Sequence, residues 1–235
     1  MTQQEIKCWK NTQDICNKYV PLPPKSIKYT YQPVSYPKQF KYTTLSIRNE
    51  DSIECGLSLI QDNPVILNLA NDISPGGGIE RGNRGQEESL FRRSNYFQTL
   101  NKSMYPIKYN ELIYSPNVSI IKTLEWKYIH RPYKMSFIAC PGIYKPTLIN
   151  EHLSTEDIQL LTTKIHFILQ TALRHGHYTV ILGAMGCGSW NNPPHQVAYV
   201  FKQVISEYYG TFKHIEFAIS GNAYSKFMDI FKIDE

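Results

Sequence analysis

Residues 68–101 read NLANDISPGGGIERGNRGQEESLFRRSNYFQTLN. An apolar run over 65–69 leads into this stretch and reads as a buried strand. Three consecutive glycines follow, Gly76, Gly77 and Gly78, and seven residues later come Gln86 and a carboxylate pair, Glu87 and Glu88. From there Leu90, Phe91, Phe97 and Leu100 recur at helical spacing. The order is therefore strand, glycine loop, acidic pair, helix. It puts polar chemistry at a strand end, where open α/β sheets bind ligands.

The flanking sequence repeats this alternation. Residues 44–48 read as a short strand, and Asp51 can cap a helix running to Gln61. Residues 112–121 suggest one or two short strands around Pro116, and residues 135–140 a strand ending at Pro141-Gly142. A long helix is expected over 155–174, with Ser154 or Thr155 as cap and Gly176 as stop. The run YTVIL at 178–182 is the kind of strand buried between two helical layers. A helix over 194–208, a strand over 215–219 and a short helix over 223–231 complete the pattern. The expected fold is α/β, a three-layer α/β/α domain over 44–235 with a mixed central sheet. Residues 1–43 are expected to be an extension packed on it, a helix over 3–19 followed by a proline-broken loop. Its Tyr and Lys residues read as rings packed on the domain rather than a nucleic-acid strip.

Composition bounds the class without naming a function. The 235 residues are 42% hydrophobic, enough for a full core in one domain. The net charge is +5, and the lysines are spread along the chain, so no DNA recognition is expected. Five widely spaced cysteines without a CxxC pair suit reduced thiols, and the first residues lack the apolar stretch of a signal peptide. An intracellular protein is expected, a monomer without membrane association. No zinc spacing is present among the seven histidines.

A glycine run lets backbone approach a ligand closely and lets N–H groups converge on anionic oxygen. No Gly-Lys-Ser/Thr follows, so it is not a nucleotide P-loop. A second glycine stretch, LGAMGCGSW over 182–190, directly follows YTVIL. Two such loops at two strand ends can grip one diphosphate from both sides. Trp190 could stack on a sugar or base. The acidic pair at a helix start can complement the helix dipole. It also has what glycoside hydrolysis needs, an acid for the leaving oxygen and a carboxylate for what remains. Adjacent helical residues point about 100° apart, so one of the two is expected to face the scissile bond.

The triple glycine, the seven-residue spacer and Gln-Glu-Glu resemble the signature of the poly(ADP-ribose) glycohydrolases. Together with YSPNV at 114–118 and LGAMGCGSWNNPP at 182–194, they look most like the shorter, bacterial-type members, which are single macrodomains. The resemblance covers roughly residues 44–230. It implies binding of a terminal ADP-ribose and hydrolysis of its ribose glycosidic bond, with no cofactor and no metal. Residue by residue, it implies Glu88 as the catalytic acid and Glu87 as its neighbour on the adjoining ribose, with Gln86 shaping the site beside them. Asn71 would contact the distal ribose. Gly76, Gly77 and Gly78 would line the diphosphate and that ribose. Gly186, Cys187, Gly188 and Ser189 would form the second phosphate loop, and Trp190 would pack on the distal ribose. Two rivals stay open: a hydrolase for mono-ADP-ribosylated protein, such as an arginine-linked conjugate, and a non-catalytic reader of ADP-ribose.

Overall fold

The computed structural model describes residues 2–231. Its centre is one seven-stranded sheet built from β1 (Ile27–Thr30), β2 (Thr44–Arg48), β3 (Val65–Asn68), β4 (Glu111–Lys122), β5 (Tyr128–Ala139), β6 (Thr179–Leu182) and β7 (His214–Ala218). The strand order is β1-β4-β5-β3-β6-β7-β2. The β5-β3-β6-β7-β2 portion is parallel, and β1 and β4 are antiparallel, so the sheet is mixed.

Helices cover both faces. On one side lie α1 (Thr2–Tyr19), α2 (Ser52–Ser58) and α3 (Gln86–Arg93); on the other lie α4 (Thr155–Arg174), α5 (Pro194–Glu207) and α6 (Ala223–Phe231). Strand side chains alternate between the two cores, as a period of two requires. Val65 and Leu67 join the core under α4 and α5, whereas Ile66 joins the one under α1–α3. All four residues of β3 and of β6 are buried, three of them apolar in each strand, with Asn68 and Thr179 the buried polar exceptions. Local caps set the helix starts: Asp51 accepts from Ile53 N–H at 2.8 Å, and Ser154 accepts from Asp157 N–H at 3.1 Å.

Three sequence expectations need correction. The apolar spacing through Leu100 does not extend one helix. α3 stops at Arg93, Ser94 is extended and bridges to Ile120, and residues Tyr96–Gln98 form a separate 3-10 turn. Ser94 Oγ donates to Leu90 O at 2.6 Å, a side-chain bond that closes the helix end. The strands around Pro116 are one 12-residue strand with a register shift between Ser115 and Val118, paired to an equally long β5. Finally, the proline-broken segment contains β1, an edge strand where missing N–H donors elsewhere in the segment do no harm. From α1, Cys8, Trp9, Thr12 and Cys16 are buried. No helix among the described residues is long and apolar enough to cross a membrane.

Candidate active site

The parallel strands β5, β3 and β6 end side by side, and the loops leaving them enclose a cleft of about 530 Å³. Its wall brings together Asn71, Gly77, Gly78, Gln86, Glu87 and Glu88 from the β3–α3 side with Gly186, Gly188, Ser189 and Trp190 from the β6–α5 side. Two residues expected at the site stand behind this wall. Gly76 has φ +76°, and a Cβ there would meet the Phe91 ring at 2.8 Å. Cys187 is half-buried, with its thiol toward Met185 O at 3.5 Å, and burial pushes its pKa up to about 12. It is a neutral thiol, not a nucleophile.

The acidic pair is held from several directions. Glu87 accepts from Asn68 Nδ2 at 3.2 Å and from Asn71 N–H at 2.9 Å. Glu88 Oε1 accepts from Gly78 N–H at 2.9 Å. Gly77 lies against both carboxylates: a Cβ there would stand 2.9 Å from Glu88 Oε1 and 3.2 Å from Glu87 Oε2, and its φ of +53° is left-handed. The glycine loop therefore wraps the acids themselves. Burial is the largest influence on Glu87, lifting it from 4.5 to about 8. Bonds from Asn71, Asn68 and the Gly76 backbone pull the other way, and the nearby charge of Glu88 adds to the rise. A helix start alone would favour ionised carboxylates; here desolvation wins.

Gln86 shows why the pair arrives in register. Its Oε1 accepts from Leu69 N–H at 3.0 Å, and its Nε2 donates to Leu67 O at 2.8 Å and Ser52 Oγ at 3.2 Å. It thus clamps the first turn of α3 to the end of β3. Asn71 Oδ1 accepts from Ile73 and Ser74 N–H, tightening the turn into the glycines. On the other loop, buried Asn192 donates to Ile143 O, Gly186 O and Trp190 O at 2.7, 3.1 and 3.3 Å. Trp190 meets Tyr144 edge to face at 5.4 Å.

Sequence reasoning missed several cleft residues. Arg81, Asn83 and Gly85 lie in the spacer between glycines and acids, and Gly142 follows β5. A Cβ on Gly142 would stand 2.9 Å from Gly186 backbone, and one on Gly85 would collide with Glu88 Oε2. Cys140-Pro141-Gly142 at a strand end was the available signal for Gly142. Among the described residues, no group of three or more His, Cys, Asp or Glu side chains is gathered to hold a metal ion.

Residues 10–123 match the family model described as microbial-type PARG, catalytic domain. That stretch includes the glycine loop and the acidic pair but not the second glycine loop. No curated protein matches the sequence. Among solved structures, the chain resembles poly(ADP-ribose) glycohydrolase (PARG) from Thermomonospora curvata, with TM-score 0.85 and 22% identity over 97% of this chain and 100% of that one. The same protein bound to the inhibitor ADP-HPD gives TM-score 0.81 at 22% identity, with coverage of 97% and 100%. The glycohydrolase from Deinococcus radiodurans in complex with ADP-ribose gives 0.74 at 21% identity, over 98% of this chain and 91% of that one. At these identities the structural likeness establishes the fold.

Proposed function

We infer that the chain is a microbial-type poly(ADP-ribose) glycohydrolase, a glycosidase that releases ADP-ribose from conjugates. The observation that supports it most directly is the carboxylate pair wrapped by the glycine loop, with Glu88 at the edge of the cleft. A reader of ADP-ribose needs the loops but has no use for two buried acids. Gly78, Gly186, Gly188 and Ser189 offer backbone to the diphosphate from two sides, and Trp190 packs on the distal ribose. Asn71 reaches the same ribose from the β3 side.

Glu88 is the acid in this reading. It donates its proton to the glycosidic oxygen, the C–O bond breaks, and the ribosyl cation that remains is met by water. The Glu88 carboxylate takes the proton from that water as the new C–O bond forms, so the acid is restored. The products are ADP-ribose and the acceptor hydroxyl. Glu87, fixed by Asn68 and Asn71, contacts the ribose and is the member of the pair that burial keeps protonated at neutral pH.

The test is release of free ADP-ribose from poly(ADP-ribose) and from arginine-linked mono-ADP-ribosylated protein in parallel. Release from polymer is expected. Release from the mono-modified protein alone would change the substrate, and release from neither with ADP-ribose still bound would return the chain to a reader.

A further inference from the structure

A second open cleft of about 570 Å³ adjoins the first, lined by Thr2, Gly82, Asn83, Arg84, Gly85, Glu88 and Ser189. The two clefts share Asn83, Gly85, Glu88 and Ser189, so Glu88 stands on their border. A glycosidase acid occupies that kind of position by necessity, because it must reach an oxygen lying between the sugar retained and the group expelled. We propose that the second cleft receives the leaving group, and that Arg84 selects an acceptor carrying phosphate, the next ADP-ribose unit of a polymer, over an arginine-linked acceptor. This rests on the glycohydrolase reading and names the substrate for it.

The charges support that choice. Apart from Glu88, Arg84 is the one charged side chain lining this cleft among the described residues. Its side chain is 57% exposed, while its partner Glu5, from α1, is 1% exposed. The guanidinium is thus anchored at one edge and open at the other. Arg92 also interacts with both Glu5 and Glu88, and it donates to Asn83 O on the cleft wall. The local balance is two guanidiniums against two carboxylates. It becomes net positive when Glu88 carries the proton that the first step requires. Attraction for a phosphate is then greatest in the reactive state. The first turn of α1, at Thr2, turns the positive end of that helix toward the same cleft. An arginine-linked acceptor would instead bring a third guanidinium beside the other two. In this arrangement α1 serves specificity, supplying Glu5 and Thr2 to the acceptor side.

The experiment uses the Glu88→Gln protein, which is expected to hold substrate without turnover, and compares its affinity for ADP-ribose and for the ADP-ribose dimer. The dimer is expected to bind more tightly, and adding Arg84→Glu should remove that gain, roughly tenfold. Arg84→Lys should keep most of it. In the otherwise native protein, Arg84→Glu should lower kcat/KM for the dimer relative to that for an arginine-linked ADP-ribosyl peptide. Arg84→Gln replaces Arg84→Glu if the latter does not fold. Equal affinities for ADP-ribose and its dimer, or a gain that survives loss of the arginine charge, would overturn the proposal. Failure of the native protein to cleave any substrate would overturn the enzymatic reading instead, and the affinity comparison still decides what the second cleft holds.

Discussion

At the residue scale, the acid pair shows what a sequence motif conveys and what it omits. The spacing of glycines to Gln-Glu-Glu singled out acids that line the cleft. It did not show that Gly77 stands between the two carboxylates, because that depends on how the loop folds back on α3. Gly77→Ala is therefore expected to act through Glu88. The added carbon would displace the carboxylate and force a non-glycine residue into left-handed backbone, at a cost of about 1–2 kcal/mol in stability. A shift of the acid by about 1 Å should lower kcat roughly hundredfold, while ADP-ribose binding, read by calorimetry, falls much less. Native kcat in a folded Gly77→Ala protein would contradict this. Glu87 supplies a pH signature. Its folded pKa lies near 8 against 4.5 for an ordinary glutamate, so the fold keeps a proton that the unfolded chain has released. Its contribution is fully present below about 4.5 and is lost as pH rises to about 8. The stability of the native protein should thus fall relative to Glu87→Gln across that window, in urea unfolding at stepped pH. A difference that stays flat with pH would count against burial of the charge.

At the element scale, α1 was legible as a helix, but not as a buttress of the site. Trp9 is 3% exposed and donates from Nε1 to Glu80 Oε1 at 2.8 Å, bracing the turn that follows the glycines. It also meets Phe97 edge to face at 5.0 Å. Buried Lys122 of β4 donates to Thr12 Oγ1 at 2.7 Å and to Cys8 O at 3.1 Å, tying α1 to the sheet. Such ties join residues more than 100 positions apart, so no local pattern announces them. Trp9→Ala should cost about 3–5 kcal/mol, lowering Tm by roughly 6–20 °C. A melt within a few degrees of native would show that α1 is only loosely held. α3 teaches the opposite lesson. Its apolar spacing ran on past its end, because Phe97 and Leu100 reach the same core through a turn rather than a helix.

At the scale of the whole molecule, the three layers were readable because strands and helices alternate and β3 and β6 each carry a run of three branched apolar residues. The order of the strands was not, since β2 closes one edge beside β7 and β1 the other beside β4. That order places the ends of β5, β3 and β6 together and so makes one cleft from three loops far apart in sequence, around residues 71–88, 142 and 186. Both glycine stretches could be recognised separately, and the strand order is what brings them to one cleft. In the function proposed, this cleft holds ADP-ribose while Glu88 cleaves its glycosidic bond. The measurement that tests it most directly is the rate of ADP-ribose release from poly(ADP-ribose) by the native and Glu88→Gln proteins, with ADP-ribose affinity measured on both. Glu88→Gln is expected to bind ADP-ribose much as the native protein does and to lose at least about a hundredfold in kcat. Release at a near-native rate by Glu88→Gln would contradict it.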